Sequence, residues 1–129
     1  MVAGFGLLWL ILWGCVQPAP PRPVEPLYSR VVTTSGMAFE VAELKLPGTI
    51  QELQVRVGGA RQWLPLDIIY RLHFTGPAVE GFRPATVYLA PGGAIQGEVF
   101  ADTLIEGRTD LGYWNTSLLK VERLDLRRH

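Results

Sequence analysis

Few side chains in this 129-residue chain could do chemistry, and their spacing argues against most kinds of catalysis. Of the two histidines, His129 stands at the end of the chain, where fraying is expected, and His73 falls on the polar parity of an alternating run. Zinc needs three or four N, S or O ligands, so His73 would depend on carboxylates that the spacing does not gather, and it reads as a half-exposed strand residue. Cys15 is the only cysteine and can form no internal disulfide. Ser29, Ser35 and Ser117 lack the strand-turn-helix setting of a nucleophile elbow. Glu98, Asp102, Glu106 and Asp110 recur every four positions, which on a helix would make one carboxylate face. Gly97 and Gly107 bracket that run and the Asp-x-Asp-x-Asp-Gly calcium spacing is missing, so these read as solvated loop charges. Gly58-Gly59 and Gly92-Gly93 mark turns and match no phosphate-binding pattern. The expectation is a protein that is not an enzyme, with no catalytic residues, no metal site and no cofactor. Trp63, Tyr113 and Trp114 sit near expected strand ends and should pack the core; exposed together they would mark a partner surface.

Charge says little about partners. Lys and Arg number 12, as do Asp and Glu, and Met1 to Gly14 holds none of them. A nucleic-acid binder normally carries a basic surplus that releases counterions from phosphates, so nucleic acid and nucleotides are set aside. A chain that is 48% hydrophobic can bury a core of about one domain.

Val2 to Val16 is an unbroken apolar and glycine run, shorter than the roughly 20 residues of a bilayer-spanning helix and suited to the apolar region of a secretory signal. It ends in Leu12-Trp13-Gly14-Cys15, which resembles the lipobox of bacterial lipoprotein signal peptides. That resemblance implies cleavage between Gly14 and Cys15, diacylglycerol on the Cys15 thiol, and a membrane anchor. Trp13 is bulkier than the usual residue there, and no Lys or Arg precedes the run; an upstream start would supply one. The alternative is an uncleaved anchor helix. Gln17 to Pro26 follows, five of its ten residues proline. Proline fixes φ and lacks an amide donor, so the stretch reads as a polyproline II tether about 30 Å long at roughly 3.1 Å per residue. The organisation is thus a signal peptide over 1–14, a tether over 15–26 and a domain over 27–129.

In the domain, Leu53, Val55 and Val57 alternate with Gln54 and Arg56 before Gly58-Gly59. Leu64, Leu66, Ile68, Tyr70, Leu72 and Phe74 keep one parity and suggest one long strand. Val87 and Leu89 face the core before Pro91-Gly92-Gly93, and Ile95 to Phe100 opens the next strand. Tyr28 to Thr34 and Leu118 to Leu126 also read as strands. Parity slips between Val41 and Leu44 and between Val121 and Leu124, which requires a β-bulge or a bend at each place. Ala38 to Leu46 reads as a strand, with a short helix as the alternative. The fold class expected is an all-β, immunoglobulin-like or fibronectin-III-like sandwich of about seven strands.

Leu53 to Val57, the turn Gly58 to Gln62, Leu64-Pro65-Leu66, Ile69 to Phe74, and Gly76, Val79 and Gly81 together resemble late-embryogenesis-abundant type 2 domains, also called water-stress and hypersensitive-response (WHy) domains. The resemblance extends over Leu53 to Phe100. The family's turn commonly reads Asn-Pro-Asn, where this chain has Gly58-Gly59-Ala60-Arg61. The resemblance implies a fibronectin-III-like sandwich and a role in desiccation or osmotic stress.

The expected protein is lipid-anchored and non-catalytic, sits in a bacterial cell envelope on the periplasmic or outer-membrane face, and acts as a binding or stress-protection module. The alternative is an accessory, pilotin-like lipoprotein that assists a secreted or outer-membrane partner by strand addition. Val16 after Cys15 would favour the outer membrane under the sorting rule of some two-membrane bacteria.

Overall fold

The computed structural model describes residues 28–90 and 92–127. The expected signal segment and tether, with Gly14 and Cys15, and His129 lie outside the described residues. Within them the chain is all-β: β1 (Tyr28–Thr33), β2 (Ala38–Lys45), β3 (Glu52–Val57), β4 (Ala60–Pro65), β5 (Ile69–Phe74), β6 (Phe82–Leu89), β7 (Ala94–Phe100), β8 (Leu104–Thr109), β9 (Gly112–Ser117) and β10 (Val121–Arg127). They form one curled sheet in the order β4-β3-β7-β6-β5-β10-β1-β2-β8-β9, with every neighbouring pair antiparallel.

Ten strands replace the seven expected. One difference is the run from Leu64 to Phe74. Pro65 enters a 3-10 turn over Leu66–Ile68, and this turn divides the run into β4 and β5. The turn also shifts the parity, so Ile69 is buried while Ile68 and Tyr70 are exposed. The others are β8 and β9, a hairpin formed from residues that read as charged loop. Ala38 to Lys45 is strand and not helix. Both parity slips are irregular in register: between Ala42 and Lys45, where Glu43 takes φ 56°, and opposite Val32/Thr33, where Glu122 is the unpaired residue.

The strand order has an internal two-fold that single-strand patterning does not reveal. In the β5–β10 pair, Leu72 faces Leu124, Arg71 faces Asp125, and His73 faces Arg123. A shift of 52 positions, Leu72 to Leu124, therefore exchanges the two strands. The same shift carries the β3–β4 hairpin, its 3-10 turn and β5 onto β8–β9, the turn Leu118–Lys120 and β10. The hydrogen bond from Leu66 N to Gln51 O recurs as Leu118 N to Thr103 O. A shift of 56, Val31 to Val87, carries β1–β2 onto β6–β7: Val31 faces Leu124 and Phe39 as Val87 faces Leu72 and Ile95. The sheet is thus two copies of one five-strand unit joined through β5 and β10. One copy runs uninterrupted from β3 to β7. The other is completed by β1 and β2 packing on β8, β9 and β10.

Equivalent positions fill the same core. Leu53, Leu66, Ile69, Leu72 and Phe74 in one unit match Ile105, Leu118, Val121, Leu124 and Leu126 in the other, and all are buried. A void among Leu46, Leu53, Leu72 and Leu118 measures about 10 Å³, too small for a ligand. Where β3 crosses β7, Val55 lies over Gly97, on which an added Cβ would stand 3.1 Å from Val55 Cγ1. At the equivalent crossing of β8 and β2 the sizes are exchanged, with Gly107 under Val41. Each crossing holds one valine and one glycine, on opposite strands.

Candidate functional site

Trp63 and the pair Tyr113 and Trp114 are far apart in the sheet. Trp63 projects from edge strand β4 and is exposed, and β9, the other edge, carries Tyr113 and Trp114. Tyr113 is exposed and donates its hydroxyl to Glu106 Oε2 at 2.7 Å. Only Trp114 packs against the core, with its ring 5.7 Å from that of Phe39. Core packing thus holds for Trp114, while Trp63 and Tyr113 face solvent because each falls on the outer parity of an edge strand.

The other sequence candidates disperse. His73 is exposed on the outer face of β5. Glu98 lies on β7, Glu106 on β8, and Asp102 and Asp110 in turns. Among the described residues no three His, Cys, Asp or Glu side chains gather as metal ligands. Ser29 is buried and donates to Val41 O, Ser35 meets Thr33, and Ser117 receives the Leu119 amide and donates to Ala101 O.

Two buried charges escaped sequence reading. Arg83 of β6 points inward and donates to the carbonyl oxygens of Gly76, Leu118 and Val121, at 3.0, 2.5 and 2.6 Å, with its guanidinium 4.2 Å from the Phe74 ring centre. It ties the loop carbonyl of Gly76 to both ends of the 3-10 turn Leu118–Lys120, adding a second donor to Leu118 O, which also accepts the Val121 amide. Burial lowers its pKa from the usual arginine range. Asp125 is buried at the internal two-fold, 2.7 Å from Arg71 Nε and 3.3 Å from Arg123 Nε. These two arginines are equivalent by the 52-residue shift. The hydrogen bond to Asp125, and then its charge, raises the pKa of Arg71. Both charges serve the scaffold.

The surface feature that the scaffold does not require lies beside β9. β2 and β8 pair only at Ala42–Arg108 and Lys45–Glu106. Beyond Arg108 the β8–β9 hairpin departs from β2. The first half of β2, Ala38 to Val41, then pairs with β1 and with no strand on its other side among the described residues. A groove of about 780 Å³ opens there. Its apolar lining includes Tyr28, Phe39, Tyr113 and Trp114, and Leu111 at the hairpin tip is 94% exposed. Its charges are Glu40, Glu43, Asp110 and Arg108, an acidic excess. Arg108 makes no ion pair among the described residues, whereas its equivalent Arg56 holds Glu98 at 2.7 Å. The position matching Glu98 is Ala42 on the groove wall.

The internal two-fold separates what the fold needs from what it does not. In the other unit, Ile95 stands for Phe39, Gln62 for Trp114, Arg61 for Tyr113 and Gly59 for Leu111. Likewise Gln96 stands for Glu40 and Gly58 for Asp110. Backbone pairing corresponds on both sides except for the bulge at Glu43, and the aromatic and acidic character belongs to one groove alone. Glu43 has no paired counterpart. It sits at the bulge with φ 56°, where glycine would be relaxed, and its carboxylate lines the groove. Composition alone could not separate these residues from core; alignment of the chain with itself sets Asp110, Leu111, Tyr113 and Trp114 against their equivalents at a shift of 52, and Phe39 and Glu40 at a shift of 56. No family model matches the chain, and no curated protein matches it.

Proposed function

We propose that the chain is a lipid-anchored, non-catalytic protein of a bacterial envelope that acts as a binding module through the groove between β2 and the β8–β9 hairpin. The observation that carries the binding role is the one-sided placement of Phe39, Tyr113, Trp114 and Leu111 on a scaffold whose two units otherwise match. Exposed aromatic and aliphatic side chains around a concavity are the usual composition of a recognition surface. The anchor rests on Leu12 to Cys15 and on the proline-rich tether behind it. Labelled palmitate should enter the full chain and be lost in Cys15→Ser; equal labelling of both would remove the anchor from the reading.

The accessory, strand-adding role is favoured by the flank of β2 that no strand covers among the described residues and by the composition of β9. Its Gly-Tyr-Trp-Asn-Thr-Ser holds none of the charges or prolines that blunt an edge, while the equivalent edge β4 carries Arg61 and Pro65. The stress-protection role draws on the resemblance over Leu53 to Phe100, a stretch that nearly coincides with one complete unit, β3 to β7. A deletion strain that survives drying and osmotic shock as well as its parent would remove it. For the fold class we keep the sandwich, since opposite walls of the curled sheet meet through one core. The duplicated order favours a two-unit sheet over an immunoglobulin-like or fibronectin-III-like one.

A further inference from the structure

We infer that the occupant of the groove is an extended polypeptide segment in which basic and apolar residues alternate, added as a strand against Ala38 to Val41 of β2. The inference rests on the binding-module reading and names the class of partner for that same site.

Three observations point to this occupant. The first is the backbone. Among the described residues Ala38 to Val41 is paired to β1 on one flank only, and antiparallel register with β8 stops at Arg108. A strand seated there would supply main-chain partners along that flank, which is how sheet edges bind extended peptides. The second is the side-chain period. A strand sends alternate residues to opposite faces. One side of the inserted strand would meet the apolar wall of Phe39 and Trp114, and the other would meet the carboxylates of Glu40 and Asp110. The third is the sign of charge. Glu40, Glu43 and Asp110 outnumber Arg108 together with Arg30, which lies 3.9 Å from Glu40, so the groove disfavours acidic segments and draws basic ones. Leu111, at the free end of the hairpin, would close over the apolar residues of the guest. The equivalent site in the other unit offers a similar backbone but neither the aromatic wall nor the acids: Ile95, Gln62, Gln96 and Gly58 stand there.

The test uses the full chain in detergent and two synthetic, end-capped peptides, one alternating lysine with valine and one alternating glutamate with valine. Binding is followed by tryptophan fluorescence and by amide hydrogen exchange resolved to Ala38 through Val41. The expected result is saturable binding of the lysine peptide, with exchange at Ala38 to Val41 slowed and exchange at Ala94 to Gly97 unchanged. Glu40→Lys with Asp110→Lys should weaken the lysine peptide by about ten-fold or more and admit the glutamate peptide. Gln96→Lys, at the equivalent of Glu40, should change neither. Because both altered side chains are exposed, thermal melts should match those of the parent.

Binding without protection of Ala38 to Val41 would overturn strand addition, as would equal affinity for both peptides or no binding of either. Quenching by a soluble glycan fragment, with no change in exchange, would assign the aromatic wall to carbohydrate and overturn the inference. A partner crosslinked in cells at Tyr113, alongside failure of both peptides, would end this inference while leaving the binding-module reading in place. Loss of both would end the reading itself.

Discussion

Replacing Gly107 tests the duplicated architecture at its tightest point. An ideal Cβ at Gly107 would stand 2.4 Å from Val41 Cγ1 and 2.8 Å from Ala42 O. The second contact is with backbone, and Val41 is fully buried and stiff at χ1, so neither neighbour can move freely. Overpacking of this kind costs about 1–3 kcal/mol. The loss of unfolded-state freedom on going from glycine to alanine returns about 0.4–1 kcal/mol. Gly107→Ala should therefore destabilise the domain by about 1–2 kcal/mol, a fall in Tm on the order of 4–16 °C for a domain of this size. The other unit supplies the remedy, because its crossing holds Val55 and Gly97 where this one holds Gly107 and Val41. Moving the bulk across, with Gly107→Val and Val41→Gly together, reproduces that arrangement. Urea unfolding of parent, singles and double gives the coupling energy, and the double should be more stable than the sum of the singles by about 1–3 kcal/mol. Additivity within about 0.5 kcal/mol would refute the claim that the two crossings are equivalent.

Arg83→Met should cost about 1–3 kcal/mol in the same assay, since it removes the buried guanidinium that donates to the carbonyls of Gly76, Leu118 and Val121, of which Leu118 keeps only the Val121 amide; a loss under about 0.5 kcal/mol would mean that those carbonyls find other partners. Glu43→Gly should raise stability by up to about 1 kcal/mol by relieving φ 56° and should weaken binding of the lysine-valine peptide; stability gained at undiminished affinity would detach this residue from the site. Leu111→Ser should leave the melting curve within about 0.5 kcal/mol, given its exposure, while lowering affinity for the lysine-valine peptide.

The alternation of Leu53, Val55 and Val57 was enough to place β3, and the two parity slips located the bulges near Glu43 and Glu122. These features were legible because each depends on residues one or two apart. The 3-10 turn at Leu66–Ile68 was not, since every second residue from Leu64 to Phe74 is apolar and a rotation of the chain leaves no mark in such a pattern. β8 and β9 were missed because Glu106, Arg108 and Asn115 on their outer faces gave them the composition of a loop. The groove joins β2 to a hairpin far along the chain, so local pattern could not disclose it. The pairs Arg71-Leu72 with Arg123-Leu124 and Leu66 with Leu118 carried the signal, 52 residues apart.

The central claim is that one unit of a duplicated sheet has been specialised into a binding groove. Photocrosslinking in living cells tests it most directly, with a photoreactive residue placed at Tyr113 in one strain and at the equivalent Arg61 in another. The account predicts a discrete adduct from position 113 and none of that size from position 61. The same adduct from both positions, or from position 61 alone, would contradict it.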